Sequence, residues 1–176
     1  FMQKVTGIFI GICTIFALLS FNVPKNEKIQ WLTIEELQKE YQKKPKPILI
    51  DIYTKWCGWC KVMDKETYTN DLVANYITEN YYAVKFDAES KDSVEWNGKK
   101  YGYNPAARSN ELAIYLLSGR MSYPTTIFIP ELTGRPASLA GYLKPNQIES
   151  VLKYFNKNTY KSIDYTEFMK TFKSSW

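Results

Sequence analysis

Two rhythms of apolar and polar positions run along this chain, and their alternation predicts a succession of strands and helices. Residues 29–32 read as a short strand. Thr33-Ile34-Glu35-Glu36 then has the capping-box pattern, with Leu37 and Tyr41 on one face behind it. A helix is predicted over residues 34–43, broken by Pro45-Lys46-Pro47. Ile48-Leu49-Ile50-Asp51-Ile52-Tyr53 is apolar almost throughout, the pattern of a central strand covered on both faces. A helix beginning at Cys57 and running to about residue 68 follows. A second is predicted over residues 71–80, and a strand over residues 81–86 ends at Asp87.

Residues 88–105 turn polar, and residues 94–101 read as a hairpin around Asn97-Gly98. Ser109 is placed to cap a helix through Leu117 that Gly119 stops. Residues 125–129 and 137–140 predict two strands around a turn at Thr133-Gly134. Pro145 opens a helix over residues 146–154 in the favoured first-turn position, and residues 165–172 suggest one more short helix. Strands alternating with helices, then a hairpin and a closing helix, place the chain in the α/β class. The expected architecture is a central mixed sheet flanked by helices. An insert at about residues 88–105 precedes the third main helix, and a short C-terminal extension covers about residues 157–176.

Charge changes this picture little. The formal net charge of +5 comes from 23 basic and 18 acidic residues, interspersed as in Glu35-Glu36-Leu37-Gln38-Lys39-Glu40. These are solvated faces, and nucleic-acid binding would want a denser basic face with aromatics interleaved. The absence of histidine matters more. It removes Ser-His-Asp and Cys-His catalysis and histidine-ligated metal sites together. Chemistry in this chain must run on Cys, Asp, Glu, Lys, Tyr or backbone groups.

Lys4 precedes an uncharged run over residues 5–21, which Asn22-Val23-Pro24-Lys25 ends. One positive charge before an apolar run is the layout of a secretory signal, and residues 1–23 read as a signal peptide or a membrane anchor. Cys13 lies inside that run as an apolar filler residue, which leaves two cysteines for residues 24–176, the expected folded domain.

Those two carry the chemistry. Trp56-Cys57-Gly58-Trp59-Cys60-Lys61 follows a buried strand and opens a helix. Two cysteines at this spacing close a disulfide with little movement. The unpaired N–H groups and positive dipole end at the helix start favour the first thiolate. The second thiol, one turn on and more buried, is set to attack a mixed disulfide and release the substrate. A zinc half-site would need two further ligands, and the mature chain has no other cysteine and no histidine. An inert structural disulfide would staple more distant segments. Buried, unreactive thiols are the remaining bland reading.

The stretch from Ile48 to Lys61 resembles the active-site segment of thioredoxins, and Tyr123-Pro124-Thr125-Thr126 resembles their Pro-Thr turn. The predicted order of elements is also the thioredoxin order. Val62-Met63-Asp64-Lys65-Glu66-Thr67 is closer to secreted bacterial thioredoxin-like proteins and to the C-terminal periplasmic domain of the transmembrane disulfide reductase. The similarity covers about residues 29–155. It implies that Pro124 takes the cis-proline role and that Trp56, Gly58, Trp59, Tyr123 and Pro124 meet the substrate chain. It also implies that Asp51 is the buried acid serving Cys60, with Lys85 in support. A carboxylate between Ile50 and Ile52 in a covered strand should have a raised pKa. Thioredoxins have Gly-Pro between their cysteines. Here Trp59 restores an N–H beside the Cys57 sulfur. The chain between Cys60 and Pro124 is also longer, mostly over residues 88–105. Trp96, Tyr101 and Tyr103 of that insert suit protein contacts.

The expected function is therefore reduction of protein disulfides outside the cytoplasm, in a periplasmic, secreted or tethered domain without bound cofactor or metal. Its partners would be protein thiols and disulfides and an electron donor of the membrane disulfide reductase class. A disulfide oxidase or isomerase, and a redox-inactive binding module on the same fold, are the alternatives.

Overall fold

The computed structural model describes residues 28–156 and 159–176. The amino-terminal apolar run, with its signal-or-anchor reading and Cys13, lies outside the described residues. Strand β2 (Ile48–Tyr53) is the centre of the fold. Ile48, Ile50 and Ile52 enter one apolar cluster and Leu49 enters another, as the two-residue period of a strand requires. Strand β3 (Tyr82–Asp87) pairs parallel on one side of β2, and β1 (Trp31–Leu32) pairs parallel with β3.

The first face of the sheet is covered by Ile34 and Leu37 of α1 (Ile34–Lys43) and Leu112, Ala113 and Leu116 of α4 (Glu111–Leu116). The second is covered by Met63 of α2 (Gly58–Glu66), Val73 and Ile77 of α3 (Asp71–Asn80), and Ile148, Val151 and Leu152 of α5 (Pro145–Asn156). Strand β8 (Thr125–Ile129) pairs antiparallel with β2, and β9 (Ala137–Ala140) with β8. The sheet order is thus β1-β3-β2-β8-β9, a three-layer α/β domain with a mixed sheet.

The segment between β3 and α4 differs most from its reading in the sequence. Strands β4 (Val94–Trp96) and β5 (Lys99–Tyr101) form the expected hairpin, with Asn97 and Gly98 both at positive φ, 51° and 75°. Trp96 and Tyr101, however, are buried in the first core cluster, so they hold the insert to the domain and are not free for partners. Gln38 of α1 fastens the hairpin, donating to the Glu95 carbonyl at 2.8 Å and accepting the Asn97 N–H at 3.3 Å. Short ribbon strands β6 (Tyr103–Asn104) and β7 (Ser109–Asn110) follow. Asn110, rather than Ser109, caps α4. Its Oδ1 accepts the Leu112 N–H while its Nδ2 donates to the carbonyls of Ser90 and Asp92, two tasks that one hydroxyl cannot combine.

Several boundaries also shift. Only Trp31 and Leu32 of the first predicted strand pair, α2 ends at Glu66, and α5 runs from Pro145 to Asn156.

The last residues are built into the domain. Helix α6 (Tyr165–Thr171) lays Tyr165 and Phe168 against Tyr154, at ring-centroid distances of 5.2 and 5.4 Å. Beyond it the chain returns to α5, where the Glu149 carboxylate is buried. That carboxylate accepts bonds from Lys153 Nζ (2.5 Å), Ser174 Oγ (2.5 Å), Ser175 Oγ (2.8 Å) and the Ser175 N–H (2.9 Å). Trp176 then meets Tyr76 of α3 edge-on at 5.4 Å. Burial by itself would raise the Glu149 pKa, but the bonds from Lys153, Ser174 and Ser175 prevail and lower it to about 2.

A carboxylate depressed in the folded state stabilises fully above its unfolded value and loses that contribution as pH falls through the folded one. The tail should therefore detach as pH drops from about 4.5 towards about 2. Glu149→Gln should destabilise the protein by about 2 kcal/mol at neutral pH. Hydrogen exchange of the Ser175 amide checks both, and a protected amide in the variant would refute the role of the charge.

Candidate functional site

Strand β2 ends at Tyr53, whose carbonyl accepts the Ala88 N–H at 2.8 Å. The chain then turns through Thr54, whose carbonyl accepts the Cys57 N–H at 3.1 Å, into α2. Cys57 is the residue capping that helix, and its Sγ accepts the Cys60 N–H at 3.1 Å. A sulfur thus occupies the place where Ser or Asp caps other helices. Cys57 and Cys60 are joined in a disulfide.

Two expectations are corrected here. Cys60 is expected to be the more buried thiol, yet the two hardly differ, with exposures of 4% for Cys57 and 2% for Cys60. The asymmetry of the pair is electronic, since only Cys57 sits at the cap. The N–H seated on the Cys57 sulfur belongs to Cys60 and not to Trp59, whose contribution is its ring. Trp56, just before Cys57, and Trp59, between the cysteines, are exposed, at 66% and 63%.

Pro124 lies buried at the start of β8 after a cis Tyr123–Pro124 bond, and its carbonyl accepts the Gly141 N–H at 2.7 Å. Tyr123 reaches the Trp56 ring edge-on at 5.9 Å. Gly58 is the exposed first residue of α2. The structure thus gathers Trp56, Tyr123 and the cysteines into one region.

In β2, six residues before Cys57, Asp51 shares the face that carries Leu49. Its register partners are Lys85 on β3 and Thr126 on β8. It is buried, its Oδ1 has no hydrogen-bond partner among the described residues, and Lys85 Nζ lies 3.6 Å from its Oδ2. Burial raises the Asp51 pKa to about 7. Lys85 opposes that shift, and the nearby Asp64 carboxylate adds to it.

Sequence reasoning overlooked Asp64, which ion-pairs with the same Lys85 from α2. Its position one helical turn beyond Cys60 was the available signal. Trp31 and Tyr53 also face the ammonium, with ring centroids 5.3 and 5.2 Å away. A cavity of about 500 Å³ lined by Trp31, Asp64, Tyr68 and Lys85 opens this cluster to solvent. Glu89 was overlooked as well: it accepts the Trp56 Nε1–H at 3.0 Å. The arrangement offers one disulfide to form and break, and a buried carboxyl group in the preceding strand able to exchange a proton near neutral pH.

A family profile described as a thioredoxin-like domain matches residues 34–156. An uncharacterized protein of Caenorhabditis elegans is 26% identical over 131 residues, which are 73% of this chain and 16% of that protein. The thiol:disulfide interchange protein DsbD of Campylobacter jejuni is 30% identical over 61 residues, 35% of this chain and 11% of DsbD. The chain therefore spans a minor part of either relative. Among solved structures, the DsbH oxidoreductase superposes with a TM-score of 0.54 at 17% identity, over 74% of this chain and 86% of that one, a likeness of fold.

An acid whose folded pKa lies above its unfolded value destabilises progressively as pH rises between the two. Asp51→Asn should therefore stabilise the oxidised protein by an amount that grows between about pH 4 and 7 and then levels off at roughly 4 kcal/mol at most. Urea unfolding across that range checks the shape of the curve. A gain independent of pH would show that the Asp51 pKa does not differ between the folded and unfolded protein, and a gain still growing well above pH 7 would show that Asp51 stays protonated there.

Proposed function

The chain belongs to the thioredoxin-like family of thiol–disulfide oxidoreductases, and on that footing we propose that it reduces protein disulfides through Cys57 and Cys60. The observation that carries the reading is a disulfide closed at a helix start, with its first sulfur taking an N–H from that helix, on a chain whose preceding strand holds Asp51 as a buried carboxyl group of raised pKa.

In the reduced protein, the Cys57 thiolate attacks one sulfur of a client disulfide. A mixed disulfide forms, and the first client thiolate leaves. Cys60 then loses its proton to the ionised Asp51 carboxylate and attacks Cys57 Sγ, which closes Cys57–Cys60 and releases the second client thiolate. Two electrons pass from the dithiol to the client, and a dithiol reductant restores the pair. Trp56, Gly58, Trp59, Tyr123 and Pro124 line the client's path across the site. Lys85 favours the ionised form of Asp51 against its burial, and no cofactor or metal takes part.

We place the activity outside the cytoplasm, with residues 1–23 as its export signal or tether, on the layout of Lys4 and the apolar run after it. The relation to DsbD, named as a thiol:disulfide interchange protein, favours partners that exchange thiols and disulfides with this chain, and we take these to be protein thiols and disulfides and an electron donor of the membrane disulfide reductase class.

Insulin reduction driven by dithiothreitol should be accelerated by the wild-type protein and by neither Cys57→Ser nor Cys60→Ser. Cys60→Ser should accumulate mixed disulfides with client proteins and Cys57→Ser should not, a difference of at least about tenfold on non-reducing gels. Equal trapping by both variants would reverse or dissolve the assigned roles.

A further inference from the structure

Trp56 and Trp59 are the most exposed large apolar side chains among the described residues, and both are held in place. Glu89 grips the Trp56 indole nitrogen at 3.0 Å, and Tyr123 abuts its face. Trp59 stacks on Tyr142, with ring centroids 5.7 Å apart and planes 22° from parallel. The Tyr142 hydroxyl donates in turn to Glu66 Oε2 at 2.5 Å. Glu66 closes α2, while Tyr142 follows Gly141, the residue whose N–H bonds the Pro124 carbonyl. The Thr67 hydroxyl adds a bond to the Leu143 carbonyl at 2.5 Å. Helix α2 and the loop after β9 are thereby tied together beside the disulfide, with one face of the Trp59 ring covered and the other open.

We propose that Tyr142, anchored by Glu66, is a positioning residue that fixes Trp59 as one wall of the cleft through which a client chain crosses the disulfide. This wall selects protein disulfides over small ones. The inference rests on the oxidoreductase reading above. Its occupant is an extended protein segment with an apolar or aromatic side chain beside its cysteine, which lies on the open face of Trp59. An indole ordered before binding loses no rotamer freedom when the client arrives, so the brace favours association. A small aliphatic disulfide reaches Cys57 without touching the wall and gains nothing from it.

The test uses the full chain, prereduced and freed of reductant. It is mixed with increasing insulin or 2-hydroxyethyl disulfide, and protein thiols are counted by alkylation over time. Tyr142→Ala should raise the half-saturating insulin concentration about fivefold. The limiting rate, and the rate constant with 2-hydroxyethyl disulfide, should stay within about twofold of wild type. Tyr142→Phe, which keeps the stack and loses the hydroxyl, should restore most of the affinity.

Glu66→Ala, a surface change, supplies an independent variant. It should match Tyr142→Phe, and the two together should do no more than either alone, because they remove the same hydrogen bond. Insulin half-saturation unchanged in Tyr142→Ala, or equal slowing with both disulfides, would overturn the wall. A wild-type protein oxidised by neither compound would overturn the oxidoreductase reading and the wall with it.

Discussion

The covering of β2 on both faces is the constraint from which the site follows. Two apolar layers meet on this strand, Ile48, Ile50 and Ile52 on one side and Leu49 on the other, and they leave its direction no freedom. Where the strand runs out, the chain passes in four residues from Tyr53 to the cap of α2, with Met63 of that helix locked into the second layer. The cysteines therefore sit at the mouth of a rigid core, and the backbone N–H groups of α2 are aimed before any client arrives. A loop of the same sequence without that strand would place the sulfurs but not the donors.

The same burial makes Asp51 unusual. A carboxyl group at that place in β2 cannot be solvated, and the cation paired with it, Lys85, is shared with Asp64 and flanked by Trp31 and Tyr53. Divided attention from Lys85 leaves Asp51 under-compensated, so desolvation wins and the acid stays protonated further up the pH scale. A lysine committed to Asp51 alone would hold the carboxylate ionised and remove its ability to exchange protons near neutrality. Asp64 thus bears on the chemistry without approaching either sulfur.

Periodicity and capping made the main framework legible in the sequence. The capping box at Thr33–Glu36, the apolar run of β2, the Asn97-Gly98 turn and the Pro145 helix start are local codes, and they were read where they occur. The cysteine pair was legible because its chemistry needs only a strand before it and a helix after it. What escaped were pairings across distance. Trp96 and Tyr101 looked like surface aromatics in a polar stretch, because nothing local says that α1 and α4 will close over them. Asp64 and Glu66 lie on α2, Glu89 follows β3 and Tyr142 follows β9, and only the packing of those elements brings Asp64 to Lys85, Glu89 to Trp56 and Tyr142 to Glu66 and Trp59. Ser109 lost the cap to its neighbour because the competition turned on carbonyls contributed by Ser90 and Asp92.

The lack of histidine, first met as a restriction on catalysis, has a second consequence once Asp51 is placed. Most proteins blur their proton uptake near neutrality over several imidazoles. In the oxidised form of this protein both thiols are tied up, no imidazole exists, and Asp51 is the side chain among the described residues raised to about 7. Proton uptake at that interior carboxyl group is therefore overlaid by no imidazole, and the carboxyl vibration of Asp51 followed through that range in the oxidised domain would serve as a built-in gauge of the polarity of the core around β2.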